Sequence, residues 1–232
     1  MSFQGRQVVV TGGTGALGIA VVGALLRAGA EAHVSYIHPA EADRFPLRSE
    51  RGLRLVGPID LVSEADIARL YGGVPKLWAS IHLAGGFAMA GIAETDKRAL
   101  MQQLDMNLVS CFLCCRAAAQ AMRTDGGGRI VNVAARPALE PRSGAGMSAY
   151  TVSKAGVAAL TAALGEELAK DGILVNAVAP SILDTPANRE AMPKADHRLW
   201  PKVEEVAASI AFLASPENLV TRSAVIPVYG RS

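Results

Sequence analysis

The chain is poor in charge. Only 19% of its 232 residues are Asp, Glu, Lys or Arg, against 50% that are hydrophobic. That balance argues against disorder and leaves ample apolar material for a large core. The charges also nearly cancel: 23 basic and 21 acidic residues leave a net charge of +2, with no basic run. No nucleic-acid partner is expected from such a surface. No stretch reaches the ~18 consecutive apolar residues of a membrane span. The opening MSFQGRQVVVTGG lacks the layout of a secretory leader. The expectation is a cytoplasmic protein with no membrane partner. Cysteine is scarce, and the three present, Cys111, Cys114 and Cys115, sit within five residues. No further ligands stand beside them, so no metal site is expected. They fall in a helical pattern and read as buried core or a subunit contact, with a reactive thiol as the alternative. Repeats, low-complexity tracts and linkers are missing too, which leaves one domain over residues 1–232.

What is present has a rhythm. Arg6 to Val10 (RQVVV) is a short β-branched run, the signature of a buried strand. It leads into TGGTGALG, residues 11 to 18, then an apolar helix closed by Gly29. A second strand follows at Ala32 to Tyr36. Strand, glycine turn, helix and strand in about 30 residues is the layout of a dinucleotide-binding unit. Its glycines have separate tasks: Gly12 permits the tight turn, Gly15 lets backbone approach a pyrophosphate, and Gly18 lets helix and strand pack closely. Thr14, Ala16 and Leu17 complete the turn. The helix start offers free N–H groups and a partial positive charge to phosphate.

Further strands are expected at Arg54–Val56, Leu77–Leu83, Arg129–Val133, Leu174–Val178 and Ala224–Val228. Helices are expected at Glu64–Tyr71, Leu100–Arg123, from Tyr150 to about Lys170, and at Val203–Ala214. His38–Arg51 and Ala134–Met147 read as loops. Ala179–Pro201 holds four prolines and reads as an irregular lid, with its cover at 181–201. The alternation implies a three-layer α/β fold: a doubly wound parallel sheet of seven strands with helices on both faces. Ligands of such sheets lie beyond the carboxyl ends of the strands. TGGTGALG, the AGGF turn (Ala84–Phe87), the Ala134 loop and APSILDTP (Ala179–Pro186) would gather there.

Tyr150 and Lys154 would arrive at the same edge. They stand four apart in SAYTVSKAG, on one face of a helix. A phenol has an ordinary pKa near ~10. A cation within a few Å lowers that value, which makes such a pair a tunable proton donor. A lone pair of this kind is weak evidence, because surface helices carry it without chemistry.

Taken in order, TGGTGALG, Asp60-Leu61, Asn107 in MNLVSCF, RIVNV, YTVSK and NAVAPSILDTP resemble the short-chain dehydrogenase/reductase family across nearly the whole chain. The resemblance implies a Rossmann sheet and hydride transfer to or from NAD(P). It implies that Tyr150 is the proton donor and that Lys154 binds the nicotinamide ribose and lowers the Tyr150 pKa. Asn107 would hold a helix bend and a water in the proton relay. Asp60 and Leu61 would approach the adenine. Ala84, Gly85, Gly86, Pro180, Ile182 and Thr185 would line the nicotinamide half. Family members assemble through helices matching Leu108–Met122 and Val157–Leu168, so a homodimer or homotetramer is expected.

The departures are as informative. The family steadies the substrate carbonyl with a serine after the fifth strand, and Ala135 stands there. Losing one such donor costs on the order of 10²–10³ in rate. Ser143 or Ser148 would have to bend back to replace it. The family's Asn-Asn-Ala-Gly after strand four is His82-Leu83-Ala84-Gly85. His82 reads as a packed histidine. Within the family, AGGF, AARPALEP and LDTPANREAMPKAD resemble the dihydropteridine reductase branch, which also lacks the serine. A quinonoid pterin takes hydride into a conjugated ring and relies less on one carbonyl donor. The acid about 20 positions past the glycine turn that selects NAD is missing. Tyr36 takes its place, with His38, Arg44 and Arg48 nearby. That tilts the cofactor slightly to NADP over NAD, unless Glu41 or Asp43 folds back to the ribose. Trp200 is either a pocket cover or a packed hinge. The expected activity is an NAD(P)H-dependent reductase of a small carbonyl, quinonoid or pterin-like substrate. The alternative is a catalytically weak or inactive nucleotide-binding scaffold.

Overall fold

Alternation along the strands builds the core. Val8 and Val10 bury on one face of the sheet and Val9 on the other, as a period of two requires. The computed structural model describes residues 1–232. Seven strands form one sheet: β1 (Gln7–Thr11), β2 (Glu31–Ser35), β3 (Leu53–Val56), β4 (Leu77–His82), β5 (Gly128–Val133), β6 (Ile173–Pro180) and β7 (Val225–Val228). Their order is β3-β2-β1-β4-β5-β6-β7, and every pairing is parallel. The order reverses between β1 and β4, where a crevice opens for a ligand.

Helices α1 (Ala16–Arg27) and α9 (Val203–Ala214) cover one face, over Val8, Val10, Ala79, Ile81, Val131 and Val178. Helices α3 (Glu64–Gly72), α5 (Ser110–Asp125) and α7 (Ser148–Glu167) cover the other, over Val9, Leu77, Ile130 and Val175. None of these helices is long and apolar enough to cross a membrane.

The long helix expected at Leu100–Arg123 is three pieces. Helix α4 (Lys97–Leu104) passes through a π turn (Asp105–Val109) into α5. The π turn holds Asn107, at the bend the resemblance implied. Three segments read as loops contain short helices: α2 (Pro39–Arg44), α6 (Arg136–Leu139) and α8 (Pro186–Ala191). Each carries proline in its first two positions. A proline there forfeits an N–H the helix does not use, so it starts a helix as well as it breaks one.

Candidate active site

The glycine turn closes over β1 as its spacing requires. Gly12 has φ +66°, and a Cβ on it would lie 2.5 Å from the Ala84 backbone nitrogen. A side chain on Gly18 would strike the Gly12 carbonyl at 2.4 Å. The turn therefore packs against the β4 loop with no room for a side chain at either point. Gly15 caps α1, and its surroundings are open, with Gly15 and Ala16 exposed and Leu17 half-buried. The first amides of α1 face that opening, an arrangement suited to phosphate.

The β4 loop is braced from beneath by Asn107. Its Oδ1 accepts from the Gly86 N–H at 3.0 Å, and its Nδ2 donates to the Gly86 carbonyl at 3.0 Å. Nδ2 also reaches Ser153 Oγ at 3.2 Å, tying the loop to α7. The π turn is what brings Asn107, fully buried, into this position. A Cβ on Gly85 would lie 2.6 Å from Asn107 Oδ1 and 3.3 Å from Lys154 Nζ. Ala84, Gly85 and Gly86, Asn107 and Lys154 thus converge at one point of the sheet edge.

Lys154 is buried, and its Nζ donates to the Val133 carbonyl at 2.9 Å. An ammonium has three donors, and this is the one hydrogen bond it makes within the chain. Burial pulls its pKa from 10.5 down to about 8, partly opposed by Cys111. Tyr150, one turn away, is half-buried and meets Phe87 edge-on at 5.0 Å between ring centroids. Burial pushes the Tyr150 phenol up to about 12. The expectation that Lys154 lowers it is not met in this structure. The two share a helix face, but the amine is turned to the Val133 carbonyl, and desolvation alone governs the phenol.

The remaining expected residues are placed unevenly. Pro180 ends β6, and Ile182 follows it, exposed. The Thr185 side chain caps α8, accepting from the Asn188 N–H at 3.2 Å. The Tyr36 hydroxyl donates to the Gly57 carbonyl at 3.1 Å, which pins its ring over that turn. Asp60 is exposed and accepts from the Val62 N–H, while Leu61 packs on the core. Ala135 is buried at the α6 start with no hydroxyl. Ser143 bonds back to the Glu140 carbonyl, so it does not replace the missing donor. Trp200 is buried against His197, 4.6 Å between ring centroids.

Two further contacts border this edge. Thr14 donates to Glu41 Oε2 at 3.2 Å, so α2 brings a carboxylate onto the glycine turn. Arg136 lies over the Tyr229 ring, 5.0 Å from its centroid. The sequence leaves open a fold-back of Glu41, though not its contact with Thr14, and the second joins residues 93 apart with no local signal.

The fit of a dinucleotide rests on three observations. The side-chain-free turn at Gly12 and Gly18 admits backbone approach, the buried Lys154 ammonium keeps donors unspent, and the Tyr150 hydroxyl makes no hydrogen bond to the chain. A doubly wound parallel sheet with a phosphate-type turn at its crossover and a tyrosine–lysine pair at its carboxyl edge is the frame of a nucleotide-dependent oxidoreductase. The short chain dehydrogenase family model matches residues 6–196, and the chain belongs to that family. It is thus an NAD(P)-dependent oxidoreductase.

Among relatives, galactitol 2-dehydrogenase of Rhizobium johnstonii is 33% identical over 256 residues, covering 98% of this chain and 97% of its own. A 2-dehydro-3-deoxy-L-rhamnonate dehydrogenase (NAD(+)) of Sphingomonas is 30% identical, covering 98% and 95%. A short-chain dehydrogenase/reductase structure from Mycobacterium ulcerans superposes with a TM-score of 0.90 at 26% identity, covering 99% of this chain and 90% of the other.

Proposed function

We propose that the chain reduces a small carbonyl, quinonoid or pterin-like substrate at the edge formed by Tyr150, Lys154 and Asn107. The observation that carries this is the convergence of Lys154 and Asn107 on Gly85, beside a phenol with no partner in the chain. A bound nicotinamide cofactor supplies the hydride. Tyr150, with its pKa raised to about 12, holds its proton across the physiological range and delivers it to the substrate. The unspent donors of Lys154 bind the cofactor ribose, bringing a cation toward the phenol. Asn107 fixes the Gly86 backbone, and with it the wall of the site. Gly12, Thr14, Gly15, Ala16, Leu17 and Gly18 hold the pyrophosphate side, with Tyr36, Asp60 and Leu61 toward the adenine. Ala84, Pro180, Ile182 and Thr185 border the nicotinamide side, under a lid at 181–201.

Phe87, exposed and edge-on to Tyr150, supports a flat ring as substrate. Ala135 supports it too, because a conjugated ring spreads the charge that an isolated carbonyl oxygen concentrates. The relatives reported above are named for a sugar alcohol and a sugar acid. The pterin-like reading therefore rests on this chain's own segments. NADP and NAD both stay in the proposal. The tilt to NADP drawn from Tyr36 is opposed by Glu41, whose carboxylate stands on the glycine turn where a 2′-phosphate would meet it. We also assign a homodimer or homotetramer joined through the α4–α5 and α7 faces, where Met101, Phe112 and Val152 are exposed.

The test is consumption of NADPH and NADH with quinonoid dihydropterin, quinones, small carbonyls and polyol-derived ketones. Turnover on one class, lost in Tyr150→Phe with cofactor binding retained, is the expected result. Undiminished turnover in that variant overturns the proton-donor role. Cofactor binding with no turnover on any class favours the scaffold reading, which Ala135 motivates.

A further inference from the structure

The three cysteines read from sequence as core, and they are buried. The fold adds what the sequence spacing withheld. His82, at the end of β4, enters the same space from 29 residues upstream of Cys111. We propose that His82, Cys111 and Cys115, with Asn132 as fourth ligand, form a binding site for a thiophilic divalent d¹⁰ cation, Zn²⁺ in the first instance. The site fastens β4, β5 and α5 together beneath the active site.

Geometry carries the inference. One ligand atom from each of His82, Cys111 and Cys115 lies within 4.8 Å of the others, and all three residues are buried. Tetrahedral Zn²⁺ with Zn–S of about 2.3 Å and Zn–N of about 2.0 Å sets its ligand atoms about 3.5–3.8 Å apart. Cys115 Sγ stands 3.5 Å from His82 Nδ1 and 3.5 Å from Asn132 Oδ1. The 2.8 Å contact of His82 Nδ1 with Asn132 Oδ1 has to open, and Cys111 Sγ, within 4.8 Å of the other two, has to settle onto the ion. Cys111 and Cys115 are four apart on α5, so their side chains share one face.

The surroundings suit a ligated histidine. Its other ring nitrogen, Nε2, lies 2.8 Å from Ser80 Oγ and 3.2 Å from Tyr71 Oη. A ligating imidazole needs such an acceptor to hold its ring and tautomer. Asn132 is held in turn, its Nδ2 donating to Thr161 Oγ1 at 2.9 Å. Charge fits as well: one Zn²⁺ and two thiolates are neutral, so the dry core gains no net charge. Loading exchanges the proton or protons held by the Cys111–Cys115 pair for one ion, with no change of redox state. Without the ion the same atoms hydrogen-bond one another, and the core closes either way. Cys114, facing Tyr71 rather than His82, lies outside the site.

The test uses the full chain, reduced, chelator-treated and free of oxygen, titrated with Cd²⁺ and then Zn²⁺. The readouts are the thiolate-to-Cd charge-transfer absorbance and native mass. The expected result is one ion per chain with proton release from the Cys111–Cys115 pair. Cys115→Ser should weaken binding by more than about a hundredfold, since even supporting residues around a metal are worth 10–100-fold. Cys114→Ser should leave it unchanged. Where the folded chain takes up no ion, refolding with Zn²⁺ present removes access as the cause. The proposal is overturned if that chain is metal-free too. It is also overturned if Cys114→Ser weakens binding as much as Cys115→Ser. If Cys115→Ser does not fold, His82→Gln takes its place, and unchanged affinity there has the same force. None of these readouts depends on the reductase reading.

Discussion

Lys154→Met should make the protein more stable and remove its activity. In the fold, burial lowers the amine from 10.5 to about 8. At pH 7 the amine is charged in both folded and unfolded chains, and the folded chain carries the full desolvation penalty. At 1.36 kcal/mol per unit, that penalty is about 3 kcal/mol. Methionine removes the charge and keeps an unbranched chain of similar length. It also forfeits the hydrogen bond to the Val133 carbonyl, worth about 1 kcal/mol. The net expected at pH 7 is a gain of about 2 kcal/mol, or roughly 4–8 °C in Tm for a chain of this size.

The pH dependence fixes the cause. Between pH 8 and 10.5 the folded lysine gives up its proton while the unfolded one keeps it. The unfolded state binds more protons there, so the wild type gains stability as pH rises. The advantage of the variant should shrink across that window and reverse slightly above it, leaving only the lost hydrogen bond. The assay is the difference in urea midpoint or Tm between variant and wild type at pH 7, 9 and 10.5. Other titrating groups are common to both chains and cancel. A variant less stable at pH 7, or a difference that does not move with pH, refutes the buried-charge argument.

Two further substitutions test the site. Ala135→Ser restores a hydroxyl at the fifth-strand position. Turnover of simple carbonyls should rise by up to about 10²-fold while that of quinonoid rings changes little; an equal effect on both would sink the charge-spreading argument. Glu41→Lys exchanges the carboxylate at Thr14 for a cation. The ratio of NADPH to NADH affinity should rise by on the order of tenfold, about 1.4 kcal/mol. Cofactor fluorescence titration measures it, and an unmoved ratio would free Glu41 of any part in selection.

The strands of the sheet, the glycine turn and the Tyr150 helix are legible because each has a local period or a local steric demand. Val8, Val9 and Val10 announce a strand buried on both faces, and Gly12 and Gly18 stand where a Cβ has no space. The short helices α2, α6 and α8 were not legible, for one shared reason. Pro39, Pro137 and Pro186 read as breakers, while at the first turn proline is a starter. The difference reaches the site, because α2 is the element that carries Glu41 to Thr14.

The tyrosine–lysine pair marks a different limit. Spacing established that both side chains share a face, but not where the amine spends its hydrogen bond. In the fold it turns toward the end of β5 and donates to the Val133 carbonyl. The phenol is left with burial alone acting on it, and its pKa moves up rather than down. A ligand that takes the free donors of Lys154 would stand between the two groups and draw the cation toward Tyr150. Lowering of the phenol is then a consequence of cofactor binding rather than of the helix. Proton transfer would await the arrival of the cofactor. Titration of the phenol reports this directly: Tyr150 should ionise near pH 12 in the free protein and shift downward only in the cofactor complex. A phenol titrating at the same pH with and without cofactor would break that link.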